Sequence, residues 1–166
     1  QKTAYEIRPR DWSSDVCSSD LVSRCERKYR PCAADPGARI DHLGIAVKSV
    51  DQALQFYEAQ LGLSVSLREI VEKEKVSVAM LPLGEPRIEL LEASAPDSVI
   101  AKFIEKRGEG LHHVALKVPD LHAAVARLQT AGARILNEPR SGAGGHLYVF
   151  VHPSSTGGVL LELIQA

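Results

Sequence analysis

Two histidines and two glutamates recur through the chain at nearly one interval. His42 and His113 stand 71 residues apart. Glu89 and Glu162 follow them at corresponding places, in Ile88-Glu89-Leu90-Leu91 and in Leu160-Leu161-Glu162-Leu163-Ile164. Neutral imidazole and carboxylate together suit zinc, cobalt, nickel, manganese or ferrous iron. Calcium favours oxygen ligands alone, and structural zinc more often takes thiolates. Each glutamate interrupts an apolar run, where an ionised carboxylate needs a partner. A single glutamate of this kind is more often solvent-facing; two that recur with histidines are read here as metal ligands. The expected set is His42, Glu89, His113 and Glu162.

The elements that must carry these residues come from the periodicity. Residues 40–47, IDHLGIAV, alternate as a half-buried strand, and Val50, Ala53, Leu54, Tyr57 and Leu61 then recur at helical spacing. Ser49 or Asp51 can start that helix and Gly62 can stop it. LSVSLREIV, VSVAMLPL and PRIELLEA read as three strands, with Gly84-Glu85-Pro86 as a turn. After a helix near residues 97–106 the pattern restarts: LHHVALKV as a strand, PDLHAAVARLQTAG as a helix, then ARIL, HLYVFVHP and GGVLLELIQ as strands. The chain therefore reads as an α+β fold of two βαβββ modules, at about 39–95 and 110–166, related by internal repetition. Strand parity puts Gly44 and Ala46 on the face of His42, and Ala115 and Lys117 on that of His113. These faces line a cavity, while the apolar alternates pack outward.

Composition narrows the partners. The 166 residues are 45% hydrophobic, and 20 Lys+Arg against 21 Asp+Glu leave a formal charge of -1. One domain with a real core is expected, with no electrostatic case for nucleic acid or a membrane surface. No apolar run reaches the length of a membrane span, and a soluble, cytoplasmic protein is expected. All three cysteines (Cys17, Cys25, Cys32) and Trp12 precede residue 39, in a leader without helical or strand periodicity. Residues 1–38 are therefore expected to be a non-native or disordered leader, and residues 39–166 the folded domain. Within residues 1–21, QKTAYEI and DWSSDVCSSDL resemble the translated constant parts of a sequencing-library adaptor, which excludes them from fold reasoning.

Other histidines carry less. His112 has the wrong parity for the ligand face and reads as a packing residue, His122 as solvated, and His146 as part of a glycine-rich loop. His152 is either a turn residue or a wall of the site. The Gly142–Gly145 run lacks the Lys-Ser/Thr of a phosphate loop and reads as a lid or a close backbone approach.

Taken together, DHLGIAV, FYEAQLGL, RIELLE, GLHHVALKV, GAGGHLYVFVHP and GGVLLELIQ resemble the methylmalonyl-CoA epimerase family of the vicinal-oxygen-chelate superfamily over residues 39–166. GLHHVAL and HPxxxxGVLLEL are the more specific strings. The resemblance implies paired βαβββ modules forming a cupped, partly closed mixed sheet around one divalent metal, with helices outside, and a homodimer. Cobalt is the ion it favours, with zinc, manganese or nickel as alternatives. It implies the same four ligands; some relatives carry Gln at the position of Glu89, so Glu adds a negative charge here. The implied substrate is an acyl-CoA, methylmalonyl-CoA, whose α-proton is removed and returned to the opposite face. Glu162 is expected to serve as one proton-transfer group. A glutamate base of some relatives aligns with Ser77, so Glu89, or a group on the Glu72–Lys75 turn, is expected to take its place. No Lys/Arg cluster marks a CoA surface. A glyoxalase I-like lyase would keep nearly the same ligands, but HPSSTGGVLLEL differs from the DPDG-type turn of that relative. Extradiol ring cleavage needs only three ligands on iron. A metal-free binding module of the superfamily would often have lost ligands that all persist here.

Overall fold

The computed structural model describes residues 37–142 and 145–166. The expectations for residues 1–36 and for Ala143 and Gly144 lie outside the described residues. One eight-stranded mixed sheet runs through the fold, curled into a half-barrel: β1 (Arg39–Ala46), β2 (Leu67–Val71), β3 (Val76–Pro82), β4 (Arg87–Ala93), β5 (Gly110–Val118), β6 (Arg140–Ser141), β7 (Leu147–Val151) and β8 (Leu161–Gln165). The order is β2-β3-β4-β1-β5-β8-β7-β6, so the two repeats meet at the antiparallel β1/β5 pair. Each first strand lies parallel to the last strand of its own repeat, β1 to β4 and β5 to β8.

Among the described residues, three α-helices accompany the sheet. Helix α1 (Val50–Leu54) starts at Ser49, whose side chain accepts from the Gln52 N–H, and it continues as π-helical turns over Gln55–Gln60. Helix α3 (Leu121–Thr130) starts at Asp120, which accepts from the Ala123 N–H at 2.8 Å. Both cover the outer faces. Val50 and Leu54 pack on Ala79, Leu81 and Leu90, and Leu121, Ala124 and Val125 pack on Val149, Val151 and Leu163. Each fully buried Leu or Val contributes about 1.5–3 kcal/mol. Helix α2 (Val99–Arg107) departs from the helices-outside expectation: its Ile100 packs with Val76, Val78, Met80 and Leu91 on the inner face of the first repeat.

The sixth strand is displaced. ARIL makes only a single bridge, Ile135 to Val151, and the short strand forms at Arg140–Ser141. The cause is Asn137. Its side-chain carbonyl accepts from the Phe150 N–H at 2.9 Å, occupying the ladder position that a strand backbone would use. Pro139 then has no N–H to offer.

Candidate metal centre

Two β-bulges shape the centre. Along β1/β5, Ile40 faces Leu116 and His42 faces Ala115, leaving Asp41 as an extra residue. Gly44 faces His113 and Ile45 faces Leu111, leaving His112 as an extra residue on the partner strand. A bulge suspends strict alternation, so neighbouring side chains can share a face. Asp41 and His112 therefore line the same cavity as His42 and His113. This corrects the parity assigned to His112, which packs edge-on against the Phe103 ring at 4.9 Å while facing the cavity.

Each histidine lies across from a small residue, His42 from Ala115 and His113 from Gly44. A Cβ on Gly44 would stand 2.2 Å from the His113 ring, so the imidazole occupies the space a side chain would need. Glu89 comes from β4 and Glu162 from β8, each on the strand that runs parallel to its own histidine's strand.

All four expected residues converge, and all are buried. The two Nε2 atoms are 3.0 Å apart. Glu89 Oε2 lies 3.3 Å from His42 Nε2 and 3.5 Å from His113 Nε2, and Glu162 Oε2 lies 3.4 and 3.1 Å from the same atoms. Ligands about 2.0–2.2 Å from one ion, at angles of about 90–110°, would stand roughly 2.8–3.6 Å from one another. The His–His and His–Glu separations fall inside that window. His42, His113 and Glu162 bring ligand atoms within 4.8 Å of one another as a possible metal-binding group, which Glu89 adjoins through both histidines without belonging to it. The donor chemistry agrees: two imidazole nitrogens facing each other between two buried carboxylates are what a divalent cation satisfies and what a dry core would not tolerate.

Protonation follows the same charges. Burial works against a charged His42, but the Glu162 and Glu89 carboxylates outweigh it and raise its pKa to about 10 in the metal-free chain. Burial likewise opposes an ionised Glu162, and His113 and His42 overcome it, lowering the pKa to about 2. Burial, then the neighbouring His113, lowers His112 to about 4. Burial works against ionising Asp41, yet hydrogen bonds from His42, Arg87 and Lys117 hold it well below the usual carboxylate range.

The cavity above the centre has a volume of about 220 Å³. Its walls include Val76, Val78 and Met80 from the first repeat, and Tyr148 and Phe150 from the second. Ser77 is on the opposite face, with Ala79 and Leu81, and pairs across the sheet with Glu92. It therefore offers nothing to the cavity, and Val78 takes the facing position. On the turn after β2, Glu74 is a wall residue, accepting from the Tyr148 hydroxyl at 3.2 Å and pairing with Arg140 at 3.1 Å. Glu72 and Lys73 do not line it. His146 lines the cavity while remaining exposed, and His122 is solvent-facing. His152 is a turn residue: its Nδ1 accepts from the Ser154 N–H at 3.0 Å, and it is not among the cavity walls. Sequence reasoning placed Lys117 on the cavity face, where it lies, but missed Asp41 and Arg87. The signal that could have exposed Asp41 was the adjacent polar doublet, Asp41-His42, recurring as His112-His113.

Residues 41–150 match the family model described as Glyoxalase/Bleomycin resistance protein/Dioxygenase superfamily. A mitochondrial methylmalonyl-CoA epimerase of Bos taurus is 39% identical over 130 residues, 77% of this chain and 74% of the relative. An ethylmalonyl-CoA/methylmalonyl-CoA epimerase of Cereibacter sphaeroides is 38% identical over 130 residues, 76% of this chain and 97% of the relative. Among solved structures, a Streptomyces coelicolor methylmalonyl-CoA epimerase in complex with 2-nitronate-propionyl-CoA superposes with a TM-score of 0.74 at 38% identity, covering 77% of this chain and 96% of that one.

Proposed function

The chain belongs to the glyoxalase/bleomycin resistance protein/dioxygenase superfamily, and from that premise we propose that it is a metal-dependent epimerase interconverting the two epimers of methylmalonyl-CoA. The observation that carries this reading is the grouping of His42, His113 and Glu162 within 4.8 Å of one another, with Glu89 3.3 and 3.5 Å from the two histidines, in a fold shared with epimerases of that name. These four residues would hold the ion. A divalent cation there supplies Lewis acidity toward the oxygens of the acyl group, which makes the α-hydrogen easier to remove.

The protein's own groups do the rest. Glu162 and Glu89, brought in from opposite repeats, take the α-proton on one face of the substrate and deliver one on the other. Aliphatic Val76, Val78 and Met80 and aromatic Phe150 surround the acyl group and keep water from the planar intermediate. Cobalt is the ion the family resemblance favours, and the same resemblance supports a homodimer. Among the described residues, no helix is long and apolar enough to cross a membrane.

The test is proton NMR of the full chain with a single epimer of methylmalonyl-CoA in deuterated buffer, before and after removal of metal by EDTA and after its restoration. Loss of the α-proton signal with appearance of the second epimer, abolished by EDTA and recovered with cobalt, is expected. Absence of exchange in the metal-loaded protein would defeat the assignment.

A further inference from the structure

Asp41 belongs to no ligand set, yet it is more elaborately held than any ligand. Only 5% of it is exposed. One carboxylate oxygen, Oδ2, accepts from His42 Nδ1 at 2.9 Å and from Arg87 Nη2. The other, Oδ1, pairs with Lys117 Nζ at 3.1 Å. Both cations come from strands beside β1: Arg87 is opposite His42 on β4, and Lys117 is opposite Arg39 on β5. The bulge at Asp41 brings the carboxylate onto the face of its own neighbour.

We infer that Asp41 is the positioning residue of His42, holding its imidazole as the Nδ1–H tautomer so that the Nε2 lone pair faces the ligand cluster. An ionised carboxylate only accepts, so the proton between the two groups must sit on Nδ1. Arg87 and Lys117 keep Asp41 in that accepting state and fix its orientation. The other repeat has no equivalent carboxylate: His112 stands there, with its Nδ1 3.0 Å from His113 Nδ1. The two ligand histidines thus receive unequal support, an acceptor with full charge for His42 and a neutral ring for His113. This inference rests on the metal reading of the centre and not on the identity of the substrate.

Asp41→Asn tests it. The amide has one accepting oxygen and one donating NH2 but faces three donors, so its NH2 must meet one of them. Turned toward His42, it reverses the tautomer and places a proton on Nε2. Turned toward Lys117, it opposes a cation. We expect zinc affinity of the full chain, measured by competition with a chromogenic chelator, to fall about 10–100-fold. The double variant Asp41→Asn with Lys117→Met gives the NH2 a side without a cation and should regain most of that loss, which a purely structural role would not produce. Imidazole nitrogen shifts of zinc-loaded wild type should show His42 bound through Nε2 with a proton on Nδ1. Equal zinc affinity in wild type and Asp41→Asn overturns the inference. So does a double variant no better than the single one, or metal on Nδ1 of His42; the last is read on wild type and holds even where a variant fails to fold. Wild type that binds no zinc defeats the metal reading itself, and wild type that binds zinc without exchanging the α-proton defeats only the epimerase assignment.

Discussion

The two repeats build one half-centre each from the same plan and finish it differently. Both place a bulge one residue before the histidine, a small residue across from it, and a glutamate on the parallel strand beside it. The first repeat then supports its histidine with a carboxylate clamped by two cations, and the second with a histidine packed on Phe103. Their inner walls differ too, aliphatic in the first (Val76, Val78, Met80) and aromatic in the second (Tyr148, Phe150). What an ion needs in common, register and donor spacing, is shared. What tunes each donor and shapes the cavity is not.

The largest effect should come from separating the two glutamates. If the repeats supply opposite faces of the substrate, Glu162→Gln and Glu89→Gln should each cut epimerisation about 10²–10⁴-fold. Each should, however, spare α-proton exchange from one epimer, and the spared epimer should differ between the two variants. Exchange measured separately on each pure epimer checks this. Loss of the same epimer's exchange in both variants would break the division of labour between repeats.

Gly44→Ala should come next. The added Cβ meets the His113 ring at 2.2 Å with strand backbone on both sides, so the ring must leave its place. Overpacking of this kind costs about 1–3 kcal/mol, read as a lower midpoint in urea, and metal affinity should fall with it. The mirrored position already carries a methyl group at Ala115, which His42 tolerates. Unchanged stability and affinity in Gly44→Ala would show that the close approach does not constrain the second repeat.

A smaller, graded effect follows from the charges. His42 has its pKa raised to about 10 in the folded metal-free chain, against about 6.5 when unfolded. Its protonation therefore stabilises the metal-free fold fully below pH 6.5, and that contribution is lost as pH climbs toward 10. An ion must displace this proton, so apparent metal affinity should rise about tenfold per pH unit within that window. Glu162 acts in the opposite sense: with its pKa lowered to about 2, its contribution is present above about pH 4.5 and fades as pH falls through 2. Metal titrations at several pH values, alongside thermal unfolding of the stripped protein, measure both. Metal affinity independent of pH would mean that the site holds no proton to displace.

How far the sequence reaches depends on where the backbone stays regular. The four proposed ligands were legible because each glutamate interrupts an apolar run, each histidine shares a strand face with small residues, and the motif repeats. Asp41 and His112 were not, since each is the extra residue of a bulge and period-two reasoning sends it to the wrong face. Ser77 aligned with a base but alternates onto the outer face, which depends on pairing with β4 that no single strand reveals. The ARIL segment has a strand's composition, and the side chain of one residue, Asn137, takes its ladder position. Lys117 was legible on the face of His113, but its pairing with Asp41, and that of Arg87, depends on the sheet order that brings both strands beside β1.

The smallest effect should lie where the repeats touch at the cavity rim. Glu74, on the turn after β2, accepts from the Tyr148 hydroxyl of β7 at 3.2 Å and pairs with Arg140 of β6 at 3.1 Å, while the Arg140 guanidinium lies over the Tyr148 ring at 5.3 Å. Burial, then the Glu74 charge, raises the Tyr148 pKa and keeps the hydroxyl a donor. Tyr148→Phe removes that one hydrogen bond and leaves the ring in place against Phe150. The cost should be about 0.5–1.5 kcal/mol in equilibrium urea unfolding. The half-exposed Arg140–Glu74 pair should contribute at the low end of that range when Arg140 is replaced by Gln, because solvent screens it. Neither change reaches the four ligands, so zinc affinity should hold while stability falls. A Tyr148→Phe chain that keeps its stability but loses affinity would mean the rim contact orders the metal centre, and that the two repeats are coupled through the cavity wall as well as through β1 and β5.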